Sequence, residues 1–140
     1  MMKKQPIYFF LLLIFVLYAC SNEIDSRING QWQLNTIEEN GVTSRVDTVF
    51  YCFQEGALFV YTVLIPKAYK EYFYYCGYAN YPSENTVEIS MPEDDGGPID
   101  FQFITKSNWE ERQKTFTVET IDSKRMVLSE GGKRYSFRKH

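Results

Sequence analysis

The side chains best suited to catalysis or metal binding are scarce in this chain of 140 residues. Its one histidine is the last residue, His140, at a position where chains are usually poorly ordered. Ser-His-Asp and Cys-His catalysis both require an imidazole that is held in a fixed place. A zinc site needs several cysteine and histidine ligands, and this composition offers too few. We therefore expect a protein that is not an enzyme and has no cofactor and no metal site.

The densest group of carboxylates is Glu93, Asp94 and Asp95, with Asp100 a few residues further on. Oxygen ligands of this kind can bind Ca²⁺. Their spacing does not follow the EF-hand loop, and two glycines and a proline follow them in the same segment. The pattern favours a solvated acidic loop over an ion site.

Two of the three cysteines, Cys52 and Cys76, fall inside predicted strands. In an exported protein such a pair could form a disulfide. If strand order is sequential, one strand separates them, and two strand spacings make roughly 9.6 Å. This separation exceeds the ~7 Å limit for the Cα atoms of a disulfide. The sequence therefore favours two buried free thiols.

Tyrosine is concentrated in one segment, where alternation places Tyr72, Tyr74, Cys76 and Tyr78 on one face of a strand. Three interpretations remain open. The rings fill the core while their hydroxyls reach water, or they form an outer face for dimerisation or a partner. In the third, they line an inner cup for an apolar or ring-shaped ligand. The candidate ligand-lining residues are Trp32, Tyr72, Tyr74, Tyr78, Phe116 and Phe137.

Elsewhere, short stretches of β-branched and aromatic residues alternate with turn signals, and helical periodicity is almost absent. Asn40-Gly41 and Gly131-Gly132 mark hairpin turns. We predict an all-β fold, an antiparallel up-and-down meander of about eight strands that closes into a barrel and so leaves no exposed edge. The predicted strands cover 30–38, 47–54, 57–65, 70–81, 86–91, 99–105, 114–121, 125–129 and 133–139, with a helical turn over 107–112.

The N-terminal segment has the organisation of an export signal. Lys3 and Lys4 precede an apolar run from Ile7 to Ala19, and Cys20 follows directly. A run of about 13 residues rises roughly 20 Å as a helix, whereas a bilayer core needs about 20 residues. The length is typical of a cleaved signal peptide. A secretory signal cut elsewhere and an uncleaved anchor helix are the alternatives.

Leu17-Tyr18-Ala19-Cys20 resembles the lipobox of bacterial lipoproteins. That resemblance implies removal of residues 1–19 and a diacylglycerol thioether with further acyl chains on Cys20, which together anchor the protein to a membrane. Ser21 directly after the cysteine resembles the sorting signal of outer-membrane lipoproteins. We expect residues 20–28 to form the lipidated cysteine and a solvated tether at the outer membrane of a Gram-negative cell.

Residues 29–140 then form a single domain of ordinary size. Gly30-Gln31-Trp32 resembles the Gly-x-Trp signature near the start of lipocalins, and residues 126–138 resemble the last hairpin of lipocalin-like domains in bacterial lipoproteins. The resemblance implies a lipocalin-like barrel in which Trp32 plugs the closed end and Arg138 of the last strand packs over it. Gly30, Trp32 and Arg138 are the barrel-closure candidates.

The chain has 15 basic and 18 acidic residues, a balance poorly suited to nucleic acid. We predict a membrane-anchored lipoprotein whose barrel binds a small hydrophobic ligand. The alternative is a structural or interaction module that docks on an envelope protein through an exposed aromatic sheet face. A cavity beside Tyr72, Tyr74 and Tyr78 would support the first function, and a filled barrel with an exposed outer patch would support the second.

Overall fold

In a computed structural model of the protein, residues 23–65, 72–93 and 102–140 are described. Within these ranges eight strands follow one another around a closed barrel, and each pairs antiparallel with its neighbour in sequence. The last strand pairs with the first. The predicted all-β antiparallel meander is therefore confirmed.

The strands are β1 Gly30–Glu39, β2 Val42–Gln54, β3 Leu58–Leu64, β4 Tyr72–Ser83, β5 Thr86–Ser90, β6 Gln113–Ile121, β7 Arg125–Glu130 and β8 Lys133–Lys139. Two short helices are present in the described ranges, α1 Glu23–Ile28 and α2 Phe103–Lys106. None of the helices in these ranges is long and apolar enough to cross a membrane. The predictions about the lipobox, the start of the strand over 70–81 and most of the acidic loop concern residues outside the described ranges.

The tight turns follow from residues that tolerate a left-handed backbone. Asn40 and Gly41 between β1 and β2 have φ values of 53° and 76°. Gly131 and Gly132 between β7 and β8 have φ values of 55° and 79°. Two consecutive positive φ angles match the twist of a two-residue hairpin to the twist of its strands. These turns fix the register of the first and last hairpins.

Four predicted elements differ from the structure. The second strand, predicted over 47–54, already begins at Val42. The strand predicted to end at Tyr81, before Pro82, continues to Ser83, and the pairing of β4 with β5 shifts register between Asn80 and Ser83. Proline is tolerated there because an irregular position does not need its missing N–H. The predicted strand over 99–105 is wrong in its described part, where α2 begins at Phe103. Residues 107–112 form bends and extended chain in place of the predicted helical turn.

The interior of the barrel is packed with aromatic side chains. Tyr51 lies 4.8 Å from the ring of Phe137 and 5.4 Å from those of Phe59 and Tyr61, measured between centroids. The connection between β5 and β6 adds two more rings, Phe103 and Trp109. Burying each such side chain stabilises the fold by roughly 1.5–3 kcal/mol. The largest fully buried side chains are those of Trp32, Tyr51, Tyr61, Phe53, Phe59, Phe103, Phe116, Ile28, Leu34, Ile89, Met126 and Leu128.

The chain is packed against the barrel before β1 begins. Helix α1 occupies residues that the sequence assigns to a solvated tether, and its last residue, Ile28, is fully buried in the core. The carbonyl of Ile28 accepts a hydrogen bond of 2.8 Å from the indole Nε1 of Trp32. The packed part of the domain therefore starts at Ile28.

Candidate functional site

Trp32 is fully buried near the start of β1, and a lysine covers its ring. The Nζ atom of Lys139 lies 4.4 Å above the centre of the Trp32 ring and donates a 2.5 Å hydrogen bond to the carbonyl of Asn29. A cation above an indole face is attracted by the ring quadrupole. Both contacts hold the ammonium group of Lys139, and they link the start of β1 to the end of β8.

Arg138 does not cover the tryptophan, so this predicted role is wrong. The side chain of Arg138 is exposed, and its backbone pairs with Gln33 and Arg125. Side chains alternate across a strand, and Lys139 shares the inward face with Tyr135 and Phe137. That alternation was the available signal for the correct residue.

Gly30, the other closure candidate, makes room for this lysine. Its φ of +123° lies where a side chain is strained, and a Cβ atom there would collide with the Lys139 ammonium group. A substituted residue would therefore force Lys139 away from Asn29 and Trp32. The glycine of the Gly-x-Trp motif is explained by this close approach.

A second polar group lies inside the barrel, among the aromatic rings. Lys114 on β6 is 8% exposed, and its Nζ lies 3.1 Å from the carboxylate of Glu130 and 5.7 Å from the centre of the Trp109 ring. The hydroxyl of Tyr135 donates a 3.4 Å hydrogen bond to the same carboxylate. Across the interior, Trp109 Nε1 donates a 3.0 Å hydrogen bond to the Tyr51 hydroxyl.

These interior tyrosines are shielded from water, and the shielding changes their acidity. Burial raises the pKa of Tyr51 well above its ordinary value, and the neighbouring Tyr61 adds to the effect. Burial is also the main cause that raises the pKa of Tyr61. For Tyr135, burial comes first, and the negative charge of Glu130 raises the pKa further. All three phenols are therefore neutral hydrogen-bonding groups at physiological pH.

Among the described residues, the most exposed tyrosine side chains lie on the outer surface of the barrel, on β4. Tyr72, Tyr74 and Tyr78 are 57%, 62% and 66% exposed. Large contiguous apolar patches are rarely exposed to solvent on a monomeric protein. Pairing places Tyr72 beside Leu64, Tyr74 beside Thr62 and Tyr78 beside Leu58. We call this surface the tyrosine face; it comprises the outward residues of β3 and of the part of β4 that pairs with β3, namely Leu58, Val60, Thr62, Leu64, Tyr72, Tyr74, Cys76 and Tyr78.

The sequence prediction that Tyr72, Tyr74 and Tyr78 line an inner cup is therefore wrong. The inward face of β4 carries two small residues beside Tyr78, namely Gly77 and Ala79, and an aromatic ring beside Tyr74, that of Tyr75, which packs against Phe103 at 5.4 Å. A Cβ atom on Gly77 would lie 2.5 Å from the Ser90 carbonyl oxygen and 2.6 Å from the Met91 sulfur. A larger side chain at position 77 cannot point inward because Ser90 and Met91 already occupy the space.

The other candidate lining residues, Trp32, Phe116 and Phe137, do lie inside the barrel. Their rings contact other side chains of the core. Phe116 packs edge-to-face against Tyr135 at 5.4 Å, and Phe137 packs against Tyr51. The structure thus divides the predicted site, with three of its residues in a filled core and three on the outer surface.

Cys52 and Cys76 are both free. Each pairs with Val60, from opposite sides of β3, so one strand separates them as the sequential order predicts. The expectation that both are buried is wrong, since Cys52 is half-buried and Cys76 is exposed. Cys76 lies on the tyrosine face between Tyr74 and Tyr78.

A polar groove of about 460 Å³ lies on the outer surface beside the hairpin of β7 and β8. Arg134 and Glu119, which both line it, form an ion pair at 2.9 Å. Its polar lining gives the groove the character of solvated surface. Among the described residues, no three histidine, cysteine or acidic side chains are grouped closely enough to hold a metal ion.

A closed barrel of eight antiparallel strands, with a buried tryptophan near the start of the first strand, is the architecture of the lipocalin class. The chain belongs to the family of the lipocalin-like domain, whose model matches residues 13–140. Such domains are generally binding proteins and not enzymes. A comparison with curated proteins finds no match.

Two solved structures are similar to the barrel. One is a lipocalin-like protein from Bacteroides uniformis ATCC 8492, with a TM-score of 0.69 and 24% identity over 81% of this chain and 99% of the other. The second is an uncharacterized protein from Bacteroides eggerthii DSM 20697, with a TM-score of 0.67 and the same identity and coverage. At this identity the likeness concerns the fold.

Proposed function

We propose that this protein is a non-catalytic interaction module of the cell envelope, and that it docks on another envelope component through the tyrosine face. The observation that carries the proposal is the exposure of Tyr72, Tyr74 and Tyr78 on one outward surface. A sheet face that meets water normally carries polar residues that alternate with the buried ones. The tyrosine face instead presents aromatic, aliphatic and thiol groups.

The chemistry of this face suits a contact with protein. Tyrosine combines a large apolar ring with a hydroxyl that can hydrogen-bond at the edge of an interface, and it is enriched in interfaces for this reason. The rings of Tyr72 and Tyr74 lie 6.1 Å apart on one side of β3 and β4. Leu64, itself 40% exposed, extends the apolar surface across the strand pair. The result is a continuous patch and not isolated exposed residues.

The anchoring part of the proposal rests on the sequence. Lipidation of Cys20 would leave three peptide links before α1 begins at Glu23. At about 3.3–3.6 Å per extended residue, this segment spans at most about 11 Å. The barrel would then be held close to the lipid headgroups, with Ser21 favouring the outer membrane. A component docked on the tyrosine face would then bind the domain close to the membrane surface.

A small hydrophobic ligand inside the barrel is the second candidate function, and one observation favours it. Lys114, Glu130 and Tyr135 place polar groups among the interior rings, where they could orient a ligand. Such a ligand needs space that Trp109 now occupies. Titration with fatty acids or aromatic probes would then change the fluorescence of Trp109, while an unchanged spectrum argues against this function.

Photo-crosslinking in cells that export the full chain tests the docking proposal. A photoreactive phenylalanine replaces Tyr74 in one variant and Thr117 in a control variant. Thr117 is exposed on β6 and lies outside the tyrosine face. We expect discrete crosslinked protein species from position 74 and far fewer from position 117. Absence of crosslinks at position 74, or equal crosslinks at both positions, would contradict the proposal.

A further inference from the structure

We infer that the component docked on the tyrosine face is a second copy of this chain, so that the protein forms a two-fold dimer. The inference rests on the proposed function and names the partner for the same surface. Three arguments carry it: the charge of the face, its area and the effect of the proposed membrane anchor on the local concentration of the chain.

The charge of the face suits self-association. In a two-fold contact the same patch occurs on both sides, so any charge on it is brought towards a like charge. The eight residues of the tyrosine face include no acidic or basic side chain. Elsewhere the chain is acidic, with 18 acidic against 15 basic residues, and a charged surface of that kind would repel its own copy. An uncharged face is where two copies can meet without this repulsion.

The exposed area is also near what a specific contact needs. A tyrosine side chain can bury roughly 150–250 Å², so three that are about 60% exposed offer on the order of 350 Å². Two copies together then cover about 700 Å², and Leu64 with the partly exposed residues of β3 brings the contact to roughly 1,000 Å². This is the lower limit for a specific interface. The expected dimer is weak in dilute solution.

Membrane anchoring would offset that weakness. Two domains that are confined to one membrane surface meet at a higher effective concentration than two free domains. A bilayer itself is a poorer occupant of this face, because attraction to anionic lipid depends on clustered lysine and arginine. The tyrosine face has neither residue among its members.

Cys76 supplies a reporter for the test because it is exposed between Tyr74 and Tyr78. The experiment uses the full chain in membranes, with Cys52→Ser so that Cys76 is the reactive thiol of the described barrel. A short bis-maleimide crosslinks Cys76 to the same residue of a neighbouring copy if the two faces meet. In the control, Cys76→Ser is combined with Thr117→Cys, which moves the thiol to the outer surface of β6.

We expect a band of twice the chain mass from Cys76 and at least about tenfold less from Thr117→Cys. Adding Tyr74→Glu or Tyr78→Glu places like charges in the contact and lowers the Cys76 band by about tenfold. Because both tyrosines are exposed, these variants keep the fold, which circular dichroism verifies. A missing band, equal bands at both positions or a band unaffected by the glutamates would overturn the dimer.

The two crosslinking experiments distinguish a failure of the dimer proposal from a failure of the proposed docking function. Photo-crosslinks from position 74 to a different protein, without the Cys76 band, would overturn the second copy as partner and leave the docking function standing. An absence of both kinds of crosslink would contradict both proposals.

Discussion

The indole of Trp109 and the phenol of Tyr51 are joined by a 3.0 Å hydrogen bond inside the barrel. Trp109 comes from the connection between β5 and β6, whereas Tyr51 lies on β2. The bond therefore ties a long connection into the core. Both side chains are almost completely buried, so neither polar atom has ready access to water.

Removing either partner of this bond should destabilise the protein. Trp109→Phe leaves the Tyr51 hydroxyl without its donor, and Tyr51→Phe leaves the indole N–H without its acceptor. A buried polar group without a partner costs about 1–3 kcal/mol. We expect each variant to lower the free energy of unfolding, measured by chemical denaturation, by that amount. Tyr74→Phe on the exposed face is the matched control, with a change within about 0.5 kcal/mol. Equal effects from all three variants would contradict a filled interior.

Lys139 and Arg138 offer a second matched pair. Lys139→Met keeps an apolar stem but removes the cation above Trp32 and the hydrogen bond to Asn29. We expect a loss of about 1–2 kcal/mol in the free energy of unfolding. Arg138→Met removes an exposed charge and should change it by no more than about 0.5 kcal/mol. A larger loss for Arg138→Met would restore the arginine as the cover of the closed end.

The difference between Lys139 and Arg138 shows which features of the structure can be predicted from the sequence and which cannot. Strand number, hairpin turns and the closing tryptophan follow from local patterns such as Asn40-Gly41 and the alternation around Trp32. The facing of an individual residue depends on register, and a shift of one residue moves a side chain to the other face of the sheet. The resemblance to lipocalins assigned to Arg138 the role of covering Trp32, although the alternation of side chains along β8 points to Lys139.

The tyrosines of β4 could not be placed by alternation alone, because both faces of that strand carry aromatic residues. Period-two spacing separates Tyr74 from Tyr75 but does not tell which of them faces inward. Which face of β4 points inward depends on how much of the barrel interior is filled by side chains from other segments. Trp109 and Phe103, from a connection that was predicted as a strand and a helical turn, fill the interior. Gly77 on the inward face of β4 was the local signal that little space remains there.

Replacing Glu130 and replacing Lys114, the two members of the buried ion pair, should lower the free energy of unfolding by different amounts. Glu130→Gln leaves the Lys114 ammonium, 8% exposed, without its counter-charge. We expect a cost of about 2 kcal/mol, below the ~3–5 kcal/mol of fully buried pairs because the Glu130 side chain is 29% exposed. Lys114→Met places an apolar chain among apolar rings and should cost less than about 1 kcal/mol. Unfolding by denaturant measures both, and the reverse order would contradict the buried position of Lys114.

Alkaline pH should unfold the protein through its interior tyrosines. Burial raises the pKa of Tyr51, Tyr61 and Tyr135 in the folded state, whereas in the unfolded chain a tyrosine ionises near pH 10. The stability that depends on these neutral phenols is thus complete below about pH 10 and is lost as the pH rises beyond it. Absorbance of tyrosinate near 295 nm, recorded together with circular dichroism, checks this. Ionisation of these three phenols before any loss of structure would contradict their burial.

The most direct test of the central claim, that this domain binds through its outer tyrosine face and not through its interior, is native mass spectrometry. The full chain is released from detergent micelles and then measured again after denaturation. The account predicts masses of one or two covalently lipidated chains, with no small molecule lost on denaturation. Additional mass on a single chain that disappears on denaturation would contradict the claim and identify the interior as the binding site.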